Sequence, residues 1–168
     1  MTRFNVDEIL AVAEQIERNG AAFYRKAAEA QEEGPLRDML LELAAMEDEH
    51  VKVFASIRAS LGSSRNEGPA ELDEQQELYL RAYASGHLFD SDLDPVEAAS
   101  SFGNVKDVLR FAIGLEKDSV MYYTAMKELV PEDLGRKEVD RIIKEEINHA
   151  AQLADRLASL GRTARRER

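Results

Sequence analysis

The chain has 168 residues, enough for one domain whose core buries roughly 70% of the unfolded surface. Hydrophobic residues at 44% and charged residues at 33% exclude a disordered chain, and the absence of cysteine excludes disulfides, thiolate-bound metals and thiol catalysis. With 33 acids against 22 bases the net charge is -11, which repels phosphate backbones and sets nucleic acid aside as a partner.

No apolar run approaches the ~20 residues that span a bilayer, so no membrane partner is expected. The opening MTRFNVDEIL lacks the apolar region of a signal peptide, so the cytoplasm is the expected compartment. Ala, Glu, Leu and Arg dominate, Pro is 4 and Gly is 9, and the expected fold class is all-α.

The first helix starts at Asn5, a cap residue with Glu8 three positions on as the second half of a capping box. Glu33-Gly34-Pro35 ends it, turns the chain and opens a second helix, for which Gly62 supplies an expected stop. Residues 63–103 connect this hairpin to the next and hold a helical stretch over about 70–85. There Leu72, Leu78, Tyr79, Leu80 and Tyr83 form an apolar side for the bundle flank or a partner chain, so a homodimer is expected. Asp94-Pro95-Val96-Glu97 signals a short further helix. Asn104 and Asp107 cap the next long helix, Gly161 stands at the expected end of the last, and residues 162–168 read as a frayed basic tail.

The chain repeats itself. Shifted by 99 residues, Asn5 falls on Asn104, Leu10 on Leu109, Glu17 on Glu116, Tyr24 on Tyr123, Glu47 on Glu146 and His50 on His149. Ala59-Ser60-Leu61-Gly62 falls on Ala158-Ser159-Leu160-Gly161, so hairpins 5–62 and 104–161 are two copies of one unit. Each unit predicts two helices of about 25 residues, ~40 Å long. Apolar residues alternate at spacings of four and three, as in Leu36, Leu40, Leu43, Glu47, His50, Phe54, Ile57 and Leu61, with Arg156 the one exception on the fourth stripe. Four such stripes make an antiparallel four-helix bundle with a long crossover, the ferritin-like layout.

In the middle of every stripe stands a glutamate: Glu17, Glu47, Glu116 and Glu146. In two stripes a histidine follows one turn later, His50 and His149. A buried unpaired carboxylate costs several kcal/mol, so positive charge is expected among them. One Glu from each of two helices plus one Glu-x-x-His from each of the others is the ligand set for two divalent metals. The turn at 33–35 lies about 17 residues from Glu17 and about 16 from His50, so the hairpin brings them level. Carboxylate with imidazole suits two iron ions, with manganese or zinc as substitutes.

The segments IERNGAAFY, MEDEH, GLEKDSVMYY and EEINH, carrying these six residues, resemble the rubrerythrin-type branch of the ferritin-like di-iron carboxylate proteins. The resemblance implies an oxidoreductase that reduces hydrogen peroxide or oxygen. It also implies that Glu47 and Glu146 bridge the metals, Glu17 and Glu116 are terminal, and His50 and His149 supply nitrogen. The alternatives are ferroxidase or iron-handling activity, or a metal-stabilised helical module without catalysis. Rubrerythrins proper carry a Cys-rich electron-feeding module; this chain has no cysteine, so a separate electron donor is expected. Where rubrerythrins have an additional redox-switched Glu, this chain has Ser119, whose repeat mate is Gly20.

Tyr24 and Tyr123 lie two turns beyond Glu17 and Glu116 and are candidates to bond ligands or pass electrons, against the plainer reading of core aromatics with polar tips. Asp48, Glu49 and Glu145 flank the ligands and are expected in solvent. His87 is a lone loop histidine. Asp90-Ser91-Asp92-Leu93-Asp94 opens like a calcium loop but has Pro95 where that loop needs Gly and Ser101 where it needs Glu.

Overall fold

The computed structural model describes residues 6–63, 74–84 and 94–166. The expectations placed on Asn5, Leu72, His87 and residues 90–93 lie outside them. The long helices are α1 (Val6–Glu29), α2 (Pro35–Ser63), α5 (Val105–Met126) and α6 (Arg136–Arg166), with α3 (Glu74–Ala84) and α4 (Pro95–Ser101) between the hairpins. No strand occurs among the described residues. No described helix is long and apolar enough to cross a membrane. The fold is the expected all-α bundle: α1 packs along α2, and α5 along α6.

Local chemistry sets the helix ends. Gly34, at φ 149°, takes the turn, and Pro35 begins α2 where its missing N–H costs nothing. Asn104 Oδ1 accepts from Asp107 N at 3.1 Å, and Asp94 Oδ1 from Val96 N at 2.8 Å, as the cap signals require. The glycine stops are different. Helix α2 runs past Gly62 to Ser63, and α6 past Gly161 to Arg166, so most of the predicted basic tail is helical. A helical glycine costs only about 1 kcal/mol against alanine.

The core is two apolar halves. One gathers Leu10, Ala13, Phe54, Tyr122, Tyr123, Met126 and Ile142. The other gathers Phe23, Tyr24, Leu40, Leu43, Leu109, Ala112 and Leu153. Along each long helix the chain passes from one half to the other through the polar residues mid-stripe.

The crossover completes these halves. Leu80 and Tyr83 of α3 are buried in the first, with the Tyr83 ring centroid 4.6 Å from that of Tyr122 and tilted by 46°. Ala98 and Ala99 of α4 are buried, and Ala99 joins the second half. The apolar side of α3 thus packs on its own bundle, while Leu78 is exposed. An unforeseen ion-pair group ties α1 to α2: buried Glu14 meets Arg18 at 2.6 Å and Arg58 at 3.5 Å, and Arg58 also grips Asp7.

Gly135 turns the chain into α6 at φ 129°, and a Cβ there would come within 2.5 Å of Ile57 Cγ1 on α2. Gly135→Ala combines a left-handed backbone with an overpacked contact. It should destabilise the fold by about 1–3 kcal/mol in denaturant unfolding.

Candidate metal centre

Between the two apolar halves, Glu17 on α1, Glu47 and His50 on α2, Glu116 on α5, and Glu146 and His149 on α6 are each 4% exposed or less. Glu-x-x-His sets both side chains on one face of its helix, one turn apart. The hairpins then bring the faces level, and all six sequence-predicted residues meet.

They form two overlapping groups that could each hold a metal ion, with one ligand atom per residue lying within 4.8 Å of the others. One is Glu17, Glu47, His50 and Glu146; the other is Glu47, Glu116, Glu146 and His149. Glu47 and Glu146 belong to both, which is the placement a bridging carboxylate needs. His50 Nδ1 lies 2.8 Å from Glu146 Oε1 and 3.4 Å from Glu17 Oε2. His149 Nδ1 lies 3.3 Å from Glu146 Oε2 and 3.4 Å from Glu47 Oε1. The imidazoles stack 6.0 Å apart with an interplanar angle of 18°.

Four carboxylates in an apolar sleeve need positive charge, and in the metal-free protein protons supply it. Burial raises Glu17 and Glu116 well above the carboxylate range, and adjoining Glu47 and Glu146 raise them further. Burial also opposes ionisation of Glu47 and Glu146, but the partners that bond them hold both below the usual value. Burial disfavours the imidazolium form too. The carboxylates around each ring outweigh it, raising His50 strongly and His149 to about 12. Protons taken up by these groups and bound divalent cations would offset the same negative charge. Although they lie close together, His50 Nδ1, His149 Nδ1, Glu47 Oε1 and Glu146 Oε1 are buried and make no well-aligned hydrogen bond. Inward-facing donors of this chemistry fit iron or manganese.

A second ring of residues holds the first. Tyr123 on α5 donates to Glu17 Oε1 on α1 at 2.5 Å, and Tyr24 on α1 donates to Glu116 Oε1 on α5. Each tyrosine therefore crosses to the other repeat's glutamate. Burial and the neighbouring carboxylates push both phenols well above their ordinary value, so they remain donors. Asp48 pairs with Arg25 and Glu49 with Lys52 on the exposed surface, as expected. Glu145 differs from its expected place in solvent: its Oε2 lies 2.9 Å from His50 Nε2. The sequence signal was the repeat itself, because Glu145 falls on Met46 and breaks the likeness beside a ligand. Ser119 is buried and its Oγ donates to Leu115 O at 3.1 Å. At Gly20 an added Cβ would lie 3.5 Å from Glu47 Cγ, so that position faces the cluster.

A family model described as a ferritin-like domain matches residues 5–159, and the chain belongs to that family. A crystal structure from Thermotoga maritima, described as a ferritin-like diiron-carboxylate protein, superposes with a TM-score of 0.65 at 26% identity. The match covers 92% of this chain and 95% of that one. Comparison with curated proteins finds no match.

Metal-free protein should lose stability as pH rises. Glu17 and Glu116 hold protons more tightly folded than unfolded, so their contribution is whole below about pH 4.5 and declines above it. The histidines act in the same sense above about pH 6.5, and His149 completes its loss near pH 12. Melting of chelator-treated protein between pH 5 and 9 should show a falling midpoint. Metal at about 100 times its Kd should restore about 2.7 kcal/mol.

Proposed function

We propose that the chain is a rubrerythrin-like di-iron oxidoreductase that reduces hydrogen peroxide or oxygen with electrons from a separate donor. The observation that carries this reading is the pair of overlapping ligand groups sharing Glu47 and Glu146 in the middle of a ferritin-like bundle. Two bound iron ions would supply two electrons and Lewis acidity toward an O–O bond. Peroxide takes up those two electrons and two protons and leaves as two waters. The sequence contains no cysteine and so no thiolate-bound electron carrier, which supports a separate reductant.

The protein's own part is placement. Glu47 and Glu146 reach both groups, while Glu17 and Glu116 each reach one. Tyr123 and Tyr24 fix the outer carboxylates by donated hydrogen bonds and keep their protons while doing so. The two apolar halves of the core exclude bulk water above and below. Gly20 lies against Glu47 and Ser119 one turn beyond Glu116, and small side chains at these positions would favour access of a diatomic or peroxide-sized molecule.

The test is anaerobic loading with ferrous iron, then peroxide with and without an added reductant. Two irons per chain, both oxidised by one peroxide and turning over when reductant is present, is the expected result. Net accumulation of ferric iron beyond two per chain would assign a ferroxidase instead. Binding without oxidation would leave a structural metal module.

Ser119 gives a sharper expectation. Its hydroxyl is committed to Leu115 O, so it offers the centre no carboxylate. In the diferric protein, azide should bind readily. Ser119→Glu should fill the space and weaken azide binding by about tenfold, equivalent to ~1.4 kcal/mol, in a spectroscopic titration. Equal affinities would show that residue 119 does not face the metals.

A further inference from the structure

The two ligand groups are alike in almost every respect. Both use Glu47 and Glu146, each adds one glutamate held by a tyrosine, and each adds one histidine Nδ1. They differ behind the histidines. His50 Nε2 donates to Glu145 Oε2 at 2.9 Å, and Arg141 Nη1 holds Glu145 Oε1 at 3.3 Å. Across the 99-residue repeat, His149 corresponds to His50, but Met46 stands for Glu145 and Glu42 for Arg141. His149 Nε2 is buried and has no hydrogen-bond partner.

From this difference we infer that Glu145 makes the two metal subsites unequal. The subsite built on His50 binds its ion more tightly and fills before the subsite built on His149. The inference rests on the dimetal reading above.

The physical reason lies in the tautomer. A histidine that ligates through Nδ1 must carry its remaining proton on Nε2. Glu145 accepts that proton's hydrogen bond, fixes the ring's orientation and raises its basicity toward the metal. His149 in the same tautomer places an Nε2–H in a buried site with nothing to accept it. Metal binding through Nδ1 of His149 therefore leaves a buried Nε2–H donor unsatisfied, whereas binding through Nδ1 of His50 does not. Losing a partner of this kind typically lowers metal affinity about 10- to 100-fold, and that is the expected ratio between the subsites. Glu145 also brings a negative charge to the His50 side alone, which works in the same direction.

Zn(II), which is diamagnetic, can be titrated into metal-free full-length protein. The ring nitrogens of His50 and His149 are followed by NMR, and heats by calorimetry. At one equivalent the His50 ring should shift while His149 holds its metal-free signal, and the second equivalent should move His149. Uptake other than two per chain would break the dimetal reading itself. Uptake of two with both rings moving in parallel, or His149 first, would overturn only the inequality.

Glu145→Met makes the two sides alike. It should weaken the first step by about 10- to 100-fold and leave the second unchanged. Equal weakening of both steps would mark a merely structural role and overturn the assignment. Glu145→Gln keeps an acceptor for the Nε2 proton and should preserve the order of filling. Met46→Glu approaches from the opposite side, so the inference stays testable if Glu145→Met does not fold. It should strengthen the His149 step, and an unmoved second step would count against the inference.

Discussion

Four carboxylates buried at one level of a helical bundle are the constraint on which the rest of this structure depends. Left ionised and unpaired, they would repel one another in a medium that screens poorly. The fold answers by placing two imidazoles among them and by letting Glu17 and Glu116 keep their protons. The same balance explains why the cluster suits two divalent cations. Positive charge is already required there, and protons and metals compete for one set of atoms.

That polar layer organises the core. Ala13 and Tyr24 on α1, Phe54 and Leu43 on α2, and Ile142 and Leu153 on α6 lie on opposite sides of it in separate apolar clusters. Each half anchors one end of every long helix, so the ligands are held between two packed regions and not at the end of one. The crossover contributes to both: α3 lays Leu80 and Tyr83 into the first half, and α4 adds Ala99 to the second. The tyrosines join the hairpins at the cluster itself, since Tyr24 and Tyr123 each bond a glutamate of the opposite repeat. Hairpin packing and ligand placement are therefore one arrangement.

The internal repeat makes symmetry the default, and the departures from it carry information. Gly20 against Ser119 and Met46 against Glu145 are differences beside ligands that are otherwise matched. The first changes the space next to the carboxylates, and the second changes what stands behind an imidazole. Membership of the ferritin-like domain family accounts for the common frame, while these local differences distinguish the two halves of this centre.

The sequence alone determined the all-α fold, the repeat, the four stripes and the six residues at their middle. The reason is that helical periodicity is a local property, and an offset of 99 residues needs no coordinates to be seen. It also set the caps at Asn104 and Asp94, where a side chain bonds a backbone group two or three residues away. Gly161 does not end α6, which continues to Arg166, because the cost of a helical glycine is small. Only the tertiary structure decided where α3 spends its apolar side, which tyrosine holds which glutamate, and that Glu145 backs His50 from another helix. Those contacts join residues up to 106 positions apart, and they depend on the rotation of one helix about its axis relative to another. Periodicity along a single helix says which face is buried, but not which side chain on the facing helix it will meet.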